Sequence, residues 1–153
     1  MTENIRAKIL AEALCEINRH GADFHMDDLA RNLRISKRTL YEHFSSKQEI
    51  IEQAISDFTN KIYTYHRRIV SDSTMTCEAK LIAYFDVPSD NWQVLSVRKA
   101  SELLTKMPDV WNRLQSRYEK DWRLLEQLLD EAQEAGEFKP FDKFLFLRLL
   151  HSA

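Results

Sequence analysis

The stretch from Leu29 to Phe44 constrains the fold of this chain most. Leu29 and Leu33 are one helical turn apart, and so are Leu40 and Phe44. This spacing predicts two short amphipathic helices joined by a tight turn. Two helices in that arrangement form a helix-turn-helix, in which the second helix enters the major groove of DNA.

The second of these helices has an outward face suited to DNA. Ser36 can cap the helix, because its hydroxyl can accept a hydrogen bond from a free amide of the first turn. With the apolar side chains turned inward, the residues that face outward are Lys37, Arg38, Thr39 and His43. Arginine and lysine can donate to guanine O6 and N7, and threonine can contact a thymine methyl group. Tyr41 can pack its ring on the core and offer its hydroxyl to the DNA backbone.

Positive charge is concentrated in the same region. Residues 31–47 contain five Lys or Arg and one acid, a net charge of 5 − 1 = +4, whereas the whole chain has a net charge of −2. A basic patch on an acidic protein indicates a surface for nucleic acid. A short basic helix can also be only a solvated face, or can bind an acidic protein, and the helix alone does not decide between these interpretations.

The sequence from Met26 to Ile51 resembles the N-terminal DNA-binding domain of the tetracycline-repressor (TetR) family. The most specific part of the resemblance is Thr39-Leu40-Tyr41-x-His43-Phe44-x-x-Lys47. The resemblance covers residues 5 to 60, and beyond them it concerns only the order of the helices. It implies that phosphates are bound by Tyr41, His43 and Lys47 and that bases are read from the first turn of the helix. The predicted DNA-binding residues are therefore Ser36, Lys37, Arg38, Thr39, Tyr41, His43 and Lys47.

Two positions depart from the pattern of the family. Arg34 stands in the turn where the family usually has glycine. A positive φ costs a side chain about 1 kcal/mol there, so we expect a slightly reshaped turn. We also expect Arg34 to reach toward a phosphate. His25 stands near the usual Thr or Ser cap of the preceding helix, and histidine is a poorer cap.

Length and composition limit the remaining possibilities. A chain of 153 residues can form one compact unit or two small ones, and only two glycines and three prolines indicate helices throughout. The fold class we predict is all-α. No apolar run of about 18 residues is present, and the first 20 residues do not form a signal peptide. We therefore expect no membrane segment and a cytoplasmic location.

The sequence shows no pattern typical of an enzyme or a metal protein. Cys15 and Cys77 do not have a zinc-binding spacing, and we expect two free thiols, with a redox sensor as the alternative. No HExxH motif, glycine-rich phosphate loop or recognisable set of nucleophile and base is present. We predict no catalysis, no cofactor and no metal site.

Apolar periodicity predicts the order of the helices. Ile5, Ile9, Ala13 and Ile17 form one stripe of a first helix, which ends at Gly21. Besides the two helices of the motif, helices are predicted over residues 2–20, 47–70, 76–85, 92–107, 108–135 and 141–153. Ser46 and Glu49 form a predicted capping box at the start of the helix over 47–70. This arrangement predicts a helix-turn-helix domain over residues 1–46 and a helical effector-binding and dimerisation domain over residues 47–153.

The resemblance implies that the second domain holds a pocket for a small molecule, here an unidentified apolar or aromatic effector. Aromatic side chains are frequent in this part of the chain, and three of them are tryptophans. The pocket candidates are Phe58, Tyr65, Tyr84, Trp92, Trp111, Tyr118 and Trp122. Aromatic residues at helical spacing are equally typical of a protein core.

The last predicted helix is apolar on nearly all sides and must be buried against something. The resemblance implies a homodimer in which C-terminal helices pair, with Phe144, Leu147 and Leu150 at the interface. A monomer whose last helix folds onto its own body is the alternative. Because family members usually carry one more helix, we also expect that the natural chain continues past Ala153.

These observations favour a sequence-specific regulator of transcription, a repressor that a small-molecule effector releases from a palindromic operator. One alternative is a helical protein-interaction module that uses the basic face without specific DNA binding. A carrier of apolar ligands with no role on DNA is another.

Overall fold

A computed structural model describes residues 2–88, 95 and 97–152 of the chain, and these residues form helices and no strand. The all-α prediction is confirmed. The helices are α1 (Thr2–His20), α2 (Met26–Leu33), α3 (Lys37–His43), α4 (Lys47–Val70), α5 (Cys77–Phe85), α6 (Val97–Lys106), α7 (Pro108–Glu134) and α8 (Lys143–Ser152). A single 3-10 turn, Gly21–Asp23, follows α1.

Most predicted helix ends agree with the structure, and two differ. Leu95 was predicted inside a helix but lies before α6, where it is buried. Trp92, where this helix was predicted to begin, lies outside the described residues. Helix α8 begins at Lys143 rather than at residue 141, because the Asp142 carboxylate accepts from the Leu145 amide at 2.9 Å and caps the helix there.

Serine hydroxyls cap the starts of α3 and α4. Ser36 accepts from the Thr39 amide at 3.0 Å at the start of α3, as predicted. At the start of α4, Ser46 accepts from the Glu49 amide at 3.1 Å. The Glu49 carboxylate does not return to Ser46, however, and instead accepts from the amide and the hydroxyl of Ser45, both at 2.6 Å. Only half of the predicted capping box is therefore formed.

The turn between α2 and α3 is closed with arginine in a left-handed conformation. Arg34 has φ 56° and ψ 39°, and the Ile35 amide donates to the Ala30 carbonyl at 3.0 Å. This is the hydrogen bond that closes a helix before a left-handed residue. The turn therefore keeps the geometry that a glycine would give, and the expected reshaping does not occur. At the other end of α2, His25 caps the helix without a side-chain hydrogen bond, as its poor capping ability predicts.

The first of two compact units consists of residues 1–61 and 88–116. Of the predicted stripe of α1, Ile9, Ala13 and Ile17 are buried in it, and Ile5 is partly buried. Phe24, which precedes α2, and Met26, the first residue of α2, also lie in its core. The buried core residues are Ile9, Ala13, Leu14, Ile17, Phe24, Met26, Leu29, Ala30, Leu40, Phe44, Ile50, Ile51, Ala54, Ile55, Leu95, Leu103, Val110 and Leu114. The start of α4 supplies four of these residues. The predicted division between two functional domains after residue 46 stays a prediction.

The second unit consists of residues 62–87 and 117–153. One cluster of its buried residues consists of Tyr84, Leu125 and Leu129, against which partly buried side chains pack from α5, α7 and α8. Helices α4 and α7 contribute residues to both units. Within the described part of the chain, every helix is too short or too polar to cross a lipid bilayer.

Candidate nucleic-acid interface

Helix α3 has one buried face and one exposed face. Leu40 is 0% exposed and Phe44, directly after the helix, is 1% exposed. Lys37 and Arg38 lie on the exposed side, and Tyr41 is 46% exposed. The inward side is therefore the one that the apolar spacing predicts, and of the residues predicted to face outward Lys37 and Arg38 are exposed, whereas Thr39 and His43 are half-buried. Helix α3 presents the polar side chains of its first turns to solvent.

Ser36 and Thr39 form a small hydroxyl cluster at the beginning of α3. Besides accepting from the Thr39 amide, the Ser36 oxygen lies 2.8 Å from the Thr39 hydroxyl oxygen. This contact orients the Thr39 side chain before any ligand binds. The structure thus brings together two of the seven predicted DNA-binding residues, within the turn that would meet base edges.

Carboxylates accompany the basic side chains of this surface. Lys37 lies 3.1 Å from Asp27, and Arg38 lies 3.2 Å from Glu42 one turn along α3. Exposed ion pairs of this kind contribute about 0–1 kcal/mol, so a phosphate or a base edge can replace the carboxylate at small cost. The cationic groups of Lys37 and Arg38 are therefore oriented by weak ion pairs.

Arg34 is the exposed basic residue of the turn before α3. Among the described residues the structure shows no ion-pair partner for its guanidinium. Its backbone conformation fixes where the side chain leaves the turn. A phosphate contact of Arg34, expected from the sequence, is compatible with this exposure.

Lys47 occupies a different environment from the other basic residues. Its ammonium donates to the backbone carbonyls of Ala22 and Phe24 and lies 4.4 Å from the centroid of the Phe24 ring. Desolvation by burial lowers the pKa of Lys47. An ammonium has three N–H groups, so one remains after these two hydrogen bonds. Lys47 fastens the turn after α1 to the start of α4, a role that sequence reasoning missed.

His43 is the last residue of α3, and its side chain is half-buried. Its backbone carbonyl accepts from Arg6 of α1, whose guanidinium carbon lies 4.2 Å from the centroid of the Phe44 ring. Sequence reasoning missed Arg6, because its contacts lie 37 and 47 residues away along the chain.

The predicted effector-pocket residues are distributed over both units. Phe58 and Trp111 belong to the first unit, and Tyr65, Tyr84, Tyr118 and Trp122 belong to the second. In the second unit, Tyr118 and Trp122 pack edge to face with ring centroids 5.9 Å apart. Trp92 lies outside the described residues.

A buried polar cluster in the second unit was also missed. His66 is 5% exposed; its Nδ1 lies 2.7 Å from the Asp121 carboxylate and its Nε2 lies 2.9 Å from the Tyr84 carbonyl. The Tyr84 hydroxyl donates to Asp121 at 2.9 Å, and burial, followed by the charge of Asp121, raises the pKa of Tyr84 well above its usual range. Tyr84 is therefore held in the core by its own hydrogen bonds.

The predicted dimer residues point in different directions. Phe144 is 72% exposed, whereas Leu147 and Leu150 pack against the core of the second unit. Leu145 and Leu149, at 53% and 60% exposure, share the exposed side of α8. One face of this helix is therefore covered by its own unit, and the other is apolar and exposed. Within the described residues, no group of three His, Cys, Asp or Glu side chains is placed to hold a metal ion.

Comparison with known proteins matches residues 9–54 to the family described as bacterial regulatory proteins, tetR family. The HTH-type transcriptional regulator YvaF of Bacillus subtilis (strain 168) is 27% identical over 142 residues, which are 93% of this chain and 75% of that protein. The HTH-type transcriptional repressor KstR2 of Mycolicibacterium smegmatis is 23% identical over 117 residues, 74% of this chain and 57% of that repressor.

A solved structure has the same fold. The crystal structure of a TetR transcriptional regulator from Legionella pneumophila superposes with a TM-score of 0.64 at 25% identity. The superposition covers 86% of this chain and 73% of that chain. These relatives are named as regulators of transcription and not as enzymes.

Proposed function

Because this DNA-binding regulator belongs to the tetR family of bacterial regulatory proteins, we propose that it is a repressor that leaves a palindromic operator when a small-molecule effector binds. The observation that carries the proposal is the two-sided helix α3. Its inner side chains, Leu40 and Phe44, are buried, and its first turn exposes Lys37 and Arg38. A helix with this division can lie in a major groove without disturbing the core.

Base reading belongs to the first turn of α3 in this proposal. Lys37 and Arg38 exchange their carboxylate partners for base edges, and Thr39 contacts a thymine methyl or a phosphate. The carboxylates of Asp27 and Glu42 stay near the interface and repel phosphates. Their presence favours a register in which the basic side chains find acceptors on bases, and this supports specificity more than affinity.

Affinity comes mainly from contacts with the phosphates. We assign this role to Tyr41 and His43, which lie along α3, and Arg34 adds an exposed cation at the turn. Lys47 can offer its third N–H to a phosphate while it keeps both carbonyls. Charge neutralisation by such contacts makes binding strongly dependent on salt.

Two copies of the chain place two α3 helices on one operator. The exposed side of α8, formed by Phe144, Leu145 and Leu149, supports this dimer, because apolar side chains in such number are rarely left in water. In this dimer Leu147 and Leu150 pack against the core of their own unit and do not contact the partner. The two recognition helices occupy successive major grooves, about 34 Å apart.

The effector is a small apolar or aromatic molecule that binds among the aromatic side chains of the second unit. We favour Tyr118 and Trp122 as candidates because their rings contact each other, whereas Tyr84 is held in the core by hydrogen bonds. Helix α4 contributes residues to both units, and we assign to it the coupling between effector binding and α3. The protein acts in the cytoplasm, where the operator DNA is found.

A comparison of charge-matched variants tests which surface binds DNA. The double variant Lys37→Ala/Arg38→Ala removes two cations from α3, and Arg67→Ala/Arg68→Ala removes two exposed cations from the last turn of α4. Binding to a labelled operator is measured by fluorescence anisotropy at several salt concentrations. We expect the α3 variant to bind the operator about two orders of magnitude more weakly, because two base contacts together contribute a few kcal/mol. The α4 variant should keep the affinity of the wild type. Equal losses would show attraction by net charge alone and would favour the protein-interaction module.

A further inference from the structure

The C-terminal end of α3 is held by three contacts of a single side chain, Arg6. Its guanidinium donates to the His43 carbonyl, donates to Gln53 Oε1 at 2.9 Å, and stacks on the Phe44 ring at 4.2 Å. Helices α1, α3 and α4 are therefore joined at one point. Only the planar fork of an arginine can donate in two directions and stack on a ring at the same time.

Helix α3, the proposed recognition helix, depends on contacts with other helices for its orientation. With residues Lys37–His43 it spans about two turns, and a helix this short is not stable without tertiary contacts. Its last carbonyls have no partner inside the helix, and the charge of Arg6 complements the negative end of the helix dipole. The first turn of α3 is fixed by the Ser36 cap, so Arg6 fixes the opposite end.

The contact continues into α4 as a chain of hydrogen bonds. Gln53 donates to Glu49 Oε1 at 2.8 Å, and Glu49 Oε2 accepts from the amide and hydroxyl of Ser45 at 2.6 Å. This series of hydrogen bonds therefore links α4 to Ser45, in the connection between α3 and α4. A rotation of α4 would disturb the same contacts that hold α3.

We propose that Arg6 is a positioning residue for DNA recognition, which sets the tilt of α3 in the major groove by clamping its C-terminal end to α1 and α4. Bidentate base reading tolerates only small errors in position, about 0.5 Å and 10–20°. Loss of the clamp therefore weakens binding to the operator more than binding to random DNA. The inference rests on the proposed operator binding.

The test compares Arg6→Met and Arg6→Lys with Lys8→Met, a matched control that removes one exposed cation from the same helix. The measured quantity is the ratio of the dissociation constants for random DNA and for the selected operator, together with the salt dependence of binding. We expect both Arg6 variants to reduce the ratio about tenfold with an unchanged salt slope, whereas Lys8→Met leaves the ratio unchanged. Gln53→Met should reduce the ratio in the same direction, since it removes one arm of the clamp.

Circular dichroism at the assay temperature shows whether each variant is folded, and Arg6→Lys together with Gln53→Met decides the question if Arg6→Met unfolds. An unchanged ratio in folded variants would overturn the inference. So would full recovery by Arg6→Lys together with a reduced salt slope for Arg6→Met, because Arg6 would then be a simple phosphate contact. If the wild-type protein itself shows no preference for any sequence, the proposed function fails rather than the role of Arg6.

Discussion

The ammonium of Lys47 lies 4.4 Å from the centroid of the Phe24 ring, over the turn that joins α1 to α2. The same group donates to the carbonyls of Ala22 and Phe24. Lys47, which is predicted to bind phosphate, therefore also stabilises the packing of the first unit.

Replacement of Lys47 should therefore affect both stability and binding. Lys47→Ala leaves two carbonyls without their donor and removes the cation–π contact, and we expect a loss of about 1–2 kcal/mol in the free energy of unfolding. Below the melting range it should weaken binding to all sequences and reduce the salt slope by about one unit. Thermal unfolding and salt titrations measure the two effects, with Lys61→Ala on the same helix as control. An unchanged melting temperature would contradict the fastening role.

Arg38 should control one base pair of the operator. We expect Arg38→Ala to relax the preference at a single position in each half-site, because its guanidinium leaves the exposed Glu42 pair for a base edge. Binding to a set of single-base operator variants measures this, and Arg31→Ala, which removes a cation paired with Asp28 outside α3, is the control. Equal losses on every sequence would remove Arg38 from base reading.

Arg34 is strained in its turn. Its φ of 56° is unfavourable for a side chain with a Cβ, and we expect Arg34→Gly to stabilise the protein by about 1 kcal/mol. Arg34→Ala keeps the Cβ and so should show little gain. Melting temperatures of the three proteins measure the difference. A glycine variant less stable than the alanine variant would indicate that the Arg34 side chain itself stabilises the turn.

The carboxylates of Glu49 and Glu52 in the first unit should make the stability of the protein decrease at low pH. Hydrogen bonds from the Arg113 guanidinium lower the pKa of Glu52, and hydrogen bonds from the Ser45 hydroxyl and amide lower the pKa of Glu49. Since each folded pKa lies below the unfolded value of about 4.3, their stabilisation is present above that pH and is lost as pH falls through the folded pKa.

Glu52→Gln should therefore flatten the decline of melting temperature below about pH 4.3. The exposed Glu126→Gln is the control for loss of one carboxylate. Both groups of the Glu52–Arg113 pair are partly exposed, so the effect is small, and it is detectable as a difference in slope. Identical acid profiles for the wild type and Glu52→Gln would show that the hydrogen bond from Arg113 does not persist in solution.

The exposed side of α8 should carry the dimer contact. Phe144→Lys places a charge where an apolar side chain is 72% exposed, and we expect it to shift the protein from dimer to monomer in light scattering after size exclusion. Leu147→Ala should instead lower the melting temperature with little change in association, because Leu147 packs in its own unit. A Phe144→Lys protein that remains dimeric would assign the interface to another surface.

Local features of this fold could be predicted from the sequence. The cap at Ser36 and most ends of the helices depend on residues a few positions apart, and the apolar stripe of α1 shows its buried face directly. The exposed basic turn of α3 follows from the same periodicity. These are short-range relations, which one sequence displays completely.

The features that sequence reasoning missed are long-range. Arg6 meets Gln53 across 47 residues, and His66 meets Asp121 across 55, so no local pattern indicates either pair. Leu147 and Phe144 look equivalent in a helix that is apolar on nearly all sides, and only packing separates the buried residue from the exposed one. The roles of the DNA-contacting side chains and of the effector remain predictions.

Selection of bound duplexes from a random library, followed by sequencing, tests the central claim most directly. At about 150 mM salt, where non-specific attraction is screened, we predict recovery of an inverted repeat with half-site centres about 10 base pairs apart. Such a motif would establish sequence-specific binding and two-fold symmetry together. Recovery of no motif, with binding that disappears as salt rises, would contradict the account and leave only general attraction between a basic face and DNA.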